Sequence, residues 1–198
     1  RQFLHRCNIG SESMSPEEQA RVADIGKRYR WRDVTGHTVH FLTDDEIKNL
    51  SIPHGTLTDD EREIINYHIV STINMLESLP WPKHLRNVPE FAGGHHERMD
   101  GRGYPRGLKG DQMSVQARVM AIADIFEALT AKDRPYKRGK TLSESLQILG
   151  KFKLNGHIDP DLFDIFIREK VYLRYAEQFI DREQIDEVDE SRIPGYDG

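Results

Sequence analysis

Only one cysteine, Cys7, occurs in 198 residues, so no internal disulfide can brace the chain. No apolar run approaches the roughly 20 residues that a spanning helix needs, and no secretory leader pattern is present. The cytoplasm is therefore the expected compartment, free or as the cytoplasmic part of a membrane-linked regulator. Positive charge is not in excess. The net charge of −5 argues against a broad basic surface, so DNA is not an expected partner. A local grip on phosphate groups stays open. Internal repeats and alternating strand patterns of useful length are also missing. The chain opens with Arg1-Gln2-Phe3-Leu4-His5, not with Met. That start reads like the interior of a longer polypeptide, and an excised or processed piece is expected.

Charge is abundant, at 31% of residues beside 37% hydrophobic. That balance suits a helical domain with salt-bridged outer faces. Ser15-Pro16-Glu17-Glu18 predicts a helix start, with Ser as N-cap, Pro at the first turn and Glu positioned to complete a capping box. Residues 30–43 predict a loop or short ribbon turning at Thr35-Gly36, and a short helix is expected over Asp44 to Leu50. Thr58 and Glu61 form a second capping box. It opens a helix to about Glu77, with Ile64, Ile65, His68, Thr72, Met75 and Leu76 expected toward the core. A helical stretch is expected around Phe91 to Glu97, and glycine-rich loop over Asp100 to Asp111. Ser114 to about Thr130 is the clearest helix, with Val115, Val119, Ile122, Phe126 and Leu129 as its apolar stripe. Thr141 with Glu144 caps another helix. Asp159-Pro160 starts one more, with Leu162, Phe163, Phe166 and Ile167 inward. The tail from Asp181 is acidic and expected to fray. The predicted fold class is all-α, a helical bundle.

Three features carry side chains that a metal centre uses. His68 falls on the predicted inner face of its helix, where a packed histidine and a ligand are both consistent readings. His95-His96, as adjacent helical residues, would point about 100° apart. They could serve two neighbouring metals, one metal and a phosphate, or be a surface pair. Asp124 shares a small-residue stripe with Ala117, Ala121 and Ala128. A carboxylate buried there needs a partner, either an Arg or a cation. Imidazole with carboxylate suits Fe, Mn, Zn or Ni and lacks the thiolates of a structural zinc site. Asp100-Gly101-Arg102-Gly103-Tyr104-Pro105 allows close backbone approach, and Tyr104 offers a stacking face. Arg134 and Lys137, beyond the Asp124 helix, could hold phosphate oxygens or be solvated charge.

The string from His95-His96-Glu97 through Asp100-Gly101-Arg102-Gly103-Tyr104-Pro105, with Gly107-Leu108, resembles the signature of the HD-GYP family. The likeness continues through Ile122-Ala123-Asp124-Ile125-Phe126-Glu127-Ala128-Leu129-Thr130 and Asp133-Arg134-Pro135-Tyr136-Lys137. It runs from about Leu57 to Phe166. The resemblance implies a helical bundle of the HD-domain superfamily with one to three divalent ions, iron or manganese foremost. It implies hydrolysis of cyclic di-GMP, or a related cyclic dinucleotide, to pGpG or GMP. Carried over by position, His68, His95, His96 and Asp124 match metal ligands. His95, His96 and Asp124 also match catalytic positions, and Tyr104, Arg134 and Lys137 match substrate contacts. Implied partners are an upstream sensor or receiver domain, a diguanylate cyclase domain docked through the Gly-Tyr-Pro loop, and a second copy in a homodimer.

One departure stands out. The family's His-Asp dyad, normally followed by Gly-Lys, has no counterpart, because the chain contains no His-Asp dipeptide. Where it would fall, the sequence reads Asp45-Glu46-Ile47-Lys48-Asn49. Either Asp45-Glu46 are poor substitutes in a degenerate site, or the dyad precedes Arg1, and the second is preferred. A bridging carboxylate normally positions the attacking water between two ions, so the chain by itself is expected to be incomplete as a catalyst. The alternative is a catalytically inactive module that binds cyclic dinucleotides or docks a protein. The expected organisation is residues 1–56 as an N-terminal segment, 57–180 as the core and 181–198 as the acidic tail.

Overall fold

A computed structural model describes residues 2–9, 11–131 and 139–198. The chain divides into two compact units, residues 1–65 and 66–198. Among the described residues there are nine α-helices and four strands of two or three residues. The all-α expectation holds. None of these helices is long and apolar enough to cross a membrane.

The first unit contains α1 (Gln2–Ile9), α2 (Pro16–Arg28) and α3 (Asp44–Leu50). Its helix starts are those the sequence announces. Ser15 accepts from the Glu18 amide while Glu18 accepts from the Ser15 amide, and Thr43 and Glu46 repeat the arrangement on α3. Such caps satisfy amides that have no partner within the helix. Strand β1 (Ser11–Ser13) pairs with β4 (His54–Gly55), and β2 (Arg30–Arg32) pairs with β3 (Thr38–His40), both antiparallel. The second pair is the ribbon expected over residues 30–43. Gly36 at φ 86° makes its turn, and the Asp33 carboxylate accepts the Thr35 and His37 amides. Helix α4 (Asp59–Glu77) begins in this unit on the Thr58–Glu61 capping box.

The second unit holds the main core. It is built by α6 (Val115–Thr130), α7 (Leu142–Leu154), α8 (Pro160–Arg168) and α9 (Val171–Phe179), with the short α5 (Val88–Gly93) beside α6. Ile122 and Phe126 of α6 meet Leu142, Leu146 and Leu149 of α7, with Phe163 and Ile167 of α8 and Tyr172 and Ala176 of α9. Each large side chain buried in this way contributes about 1.5–3 kcal/mol. Asp159 caps α8 through the Asp161 and Leu162 amides and pairs with Arg118 of α6 at 2.5 Å, which fastens the two helices together.

Four expectations need correction. Helix α4 buries Ile69 and Ile73, while Ile64, Ile65, His68 and Met75 are exposed. Two apolar stripes overlap on this helix, and the one facing Gly93 of α5 is buried. On α6 the inward face is Ala117, Ala121, Ile122 and Phe126, and Val115 and Val119 are about half exposed. The helix expected to carry the histidine pair ends at Gly93, and His95 and His96 lie in the following turn. Gly93-Gly94 ends it, since glycine is a poor helix residue. Finally, the acidic tail does not fray. Ile193 and Gln184 are buried, and the Gln184 amide donates to the Thr130 and Lys140 carbonyls. Helix α9 has no counterpart among the expected elements. The chain breaks before it at Lys170, in the left-handed region at φ 51°, with neither glycine nor proline to mark the turn.

Candidate metal centre

The site is built from α4, the turn after α5, and the loop that follows. Glycine lets these pieces approach. A Cβ on Gly93 would stand 2.8 Å from Ile73 of α4, and one on Gly94 would stand 2.8 Å from Ala117 of α6. The Glu90 carboxylate accepts the Ser114 amide at 3.3 Å, which ties α5 to the start of α6. The turn that follows therefore projects His95 and His96 toward α4, where His68 sits.

The side-chain nitrogens of His68, His95 and His96 that could ligate an ion all lie within 4.8 Å of one another. His96 Nε2 is 3.1 Å from His68 Nε2. The His95 and His96 rings are 4.2 Å apart between centroids. His95 Nδ1 lies 2.5 Å from the Ala92 carbonyl. A carbonyl only accepts, so Nδ1 donates to it, which leaves Nε2 as the nitrogen turned to an ion. A bond of this kind from the far ring nitrogen holds an imidazole in the orientation that an ion needs. Burial, helped by His95 and His68 and opposed by Asp124, pushes His96 down to about 4. His96 is therefore neutral at pH 7 and free to donate a lone pair. The three imidazoles fit a divalent cation of the kind that prefers nitrogen ligands.

Tyr104 closes one side. Its ring stacks on His96 at 4.8 Å between centroids and 21° between planes, and its amide donates to the His96 carbonyl at 3.2 Å. Burial and then the Asp124 charge push the Tyr104 hydroxyl up, so it remains a hydrogen-bond donor at neutral pH. The loop that carries Tyr104 is heavily tied. Asp100 accepts two bonds from the Arg98 guanidinium, at 3.1 and 2.8 Å, and one from the Arg102 amide. The Arg98 bonds chiefly, and then the Arg102 amide, hold the Asp100 carboxyl below its ordinary range. The Met99 and Asp100 amides donate to the His157 and Gly156 carbonyls between α7 and α8. Gly101 and Gly107 adopt φ of 77° and 67°, a region that other residues enter only under strain. Tyr104-Pro105 is cis.

His68, His95, His96 and Tyr104 are thus brought together. Asp124 is not among the ligand atoms within that 4.8 Å, and it is exposed on α6. Its charge still reaches the site, because it raises the proton affinity of both His96 and Tyr104. Arg134 and Lys137 lie outside the described residues. One residue that received no role from the sequence is Glu97, which is 1% exposed and accepts the Arg106 and Leu108 amides.

A family model described as HD domain matches residues 17–162. The chain belongs to the HD domain family. Curated phosphodiesterases share part of this HD domain. It is 46% identical over 81 residues to a 3'3'-cGAMP-specific phosphodiesterase of Vibrio cholerae, covering 41% of this chain and 19% of that protein. It is 38% identical over 114 residues to a cyclic di-GMP phosphodiesterase of Pseudomonas aeruginosa, covering 58% and 26%. A cyclic di-GMP phosphodiesterase of Thermotoga maritima is 36% identical over 115 residues, covering 58% and 30%. The matched part of the HD domain thus spans between about a fifth and a third of these relatives.

Proposed function

We propose that this HD domain is the site of a metal-dependent cyclic dinucleotide phosphodiesterase, with cyclic di-GMP as the first candidate substrate and the linear pGpG or GMP as product. One observation carries the reading: three imidazoles from two elements converge within 4.8 Å beside a stacked tyrosine. The named activities of the relatives support it. His68, His95 and His96 hold the cation, which is iron or manganese, and Asp124 adds negative charge nearby. A divalent cation so held supplies Lewis acidity to a phosphoryl oxygen and acidifies water. The protein's own groups do the rest. Tyr104 presents a hydroxyl and a ring edge to the nucleotide. Its stack on His96 limits how far either ring can turn. Arg134 and Lys137 are assigned, by motif resemblance, to the phosphate oxygens.

A second reading has its own support. Among the described residues the imidazole cluster contains no carboxylate, and the chain has no His-Asp dipeptide. A site with nitrogen ligands alone could bind a cation and a cyclic dinucleotide without cleaving it. Anaerobic loading with Mn or Fe, elemental analysis and chromatography of cyclic di-GMP products separate the two. The tests should use both this chain and the full polypeptide its gene encodes. Release of pGpG supports the enzyme. Binding without product by the metal-loaded full polypeptide supports the module. Neither binding nor product removes both.

A further inference from the structure

Glu97 follows the histidine pair directly, yet its carboxylate bonds into the loop beyond Tyr104. Its side chain is 1% exposed. One oxygen accepts the Arg106 amide at 2.7 Å, and the other accepts the Leu108 amide at 2.8 Å. Both donors lie just beyond Tyr104-Pro105. The carboxylate therefore grips the far limb of the loop from inside. Gly103, on the near limb, passes so close that a Cβ would collide with the Glu97 and Arg98 backbone. Tyr104 is the link between the limbs, fixed by its amide bond to the His96 carbonyl and by its stack on the His96 ring. A buried acid is costly unless its oxygens are satisfied. Here two backbone amides satisfy it, and in return the loop is drawn back over the residue next to a metal ligand.

We propose that Glu97 is a positioning residue, whose buried carboxylate sets the Arg106–Leu108 limb so that Tyr104 is held against His96 as one wall of the nucleotide site. This rests on the cyclic dinucleotide reading above. Glu97 acts on the nucleotide through Tyr104 and does not touch the cation. A small displacement of such a wall is enough to weaken binding, because alignment within about 1 Å governs affinity and rate at such sites.

The test uses the full chain with Glu97→Gln. This keeps the shape but replaces one acceptor oxygen with an NH2 that opposes an amide donor. Three measurements are made: amide hydrogen exchange at Arg106 and Leu108, Mn(II) affinity by calorimetry, and cyclic di-GMP affinity of the Mn-loaded chain. Exchange at both amides is expected to rise about tenfold or more, as charge-assisted bonds are lost. Nuclear Overhauser contacts between the Tyr104 and His96 rings weaken in the metal-free chain. Mn(II) affinity stays within about threefold, while cyclic di-GMP affinity falls about tenfold or more. Unchanged exchange overturns the proposal. So does a loosened loop with unchanged nucleotide affinity, and so does loss of metal and nucleotide together, which marks a merely structural role. If Glu97→Gln does not fold, Glu97→Asp serves, since one methylene less withdraws both oxygens from reach. Wild-type nucleotide affinity in that variant overturns the proposal. A wild-type chain that binds Mn(II) but no cyclic di-GMP instead defeats the cyclic dinucleotide reading, and the exchange and ring-contact data still decide whether Glu97 sets the loop.

Discussion

His68 Nε2 and His96 Nε2 stand 3.1 Å apart, one from a nineteen-residue helix and the other from a turn 28 residues later. Two imidazole lone pairs at that separation repel unless a proton or a cation lies between them. A proton on one nitrogen relieves this, and a divalent ion would do the same. His68→Ala and His96→Ala should each lower Mn(II) or Zn(II) affinity at least about 100-fold, because even outer-shell changes at such sites cost about 10–100-fold. Calorimetric titration of the two variants checks this.

Acid should weaken the metal-free chain through His96. Burial depresses its proton affinity from the ordinary 6.5 to about 4 in the folded state. Between about pH 6.5 and 4 the unfolded chain binds more protons than the folded one. Stability therefore rises with pH in that window, is fully present above about 6.5 and is lost as pH falls toward 4. Thermal midpoints of the metal-free chain at pH 7.5, 6, 5 and 4 should fall in that order. His96→Gln should show a shallower decline, and parallel declines in the two chains would contradict this source of the effect.

Gly103 is expected to resist substitution for steric reasons alone. The Cβ in Gly103→Ala meets the backbone of Glu97 and Arg98, which cannot move aside as a side-chain tip could. Overpacking of this kind costs about 1–3 kcal/mol. Urea unfolding measures it, and an unchanged midpoint would show that the loop can pass elsewhere.

The C-terminal segment should contribute to stability. Gln184 donates to the Thr130 and Lys140 carbonyls, at 3.0 and 2.9 Å, from a buried position. Gln184→Ala leaves both without that donor and should cost about 1–3 kcal/mol. A loss below about 0.5 kcal/mol, the scale of an ordinary surface change, would mean that the tail is loosely held.

What the sequence disclosed was local. Ser15, Thr43, Thr58, Thr141 and Asp159 announce helix starts because a cap and its amide partners lie within three residues. The core of α7 and α8 was legible because Leu146, Leu149, Phe163 and Ile167 keep one helical period. The inner face of α4 was not. Ile64-Ile65 and Ile69, Val70 and Ile73 offer two stripes, and packing against α5 chooses between them. His95 and His96 were found as residue types, but Gly93-Gly94 moves them from a helix to a turn and so changes how they converge. The role of Glu97 was hidden because its partners are backbone amides nine and eleven residues away, which leave no mark in side-chain chemistry. Asp124 was expected partly buried. Its exposure shows that the small-residue stripe of α6 is covered only at Ala117 and Ala121.

X-ray absorption of the Zn(II)-loaded chain asks most directly whether these imidazoles share one ion. We expect one tightly bound equivalent with imidazole nitrogens at about 2.0–2.1 Å, reduced by one such ligand in His68→Ala, His95→Ala and His96→Ala alike. Weak binding, or a spectrum without imidazole scattering that none of the three changes alters, would contradict a shared centre.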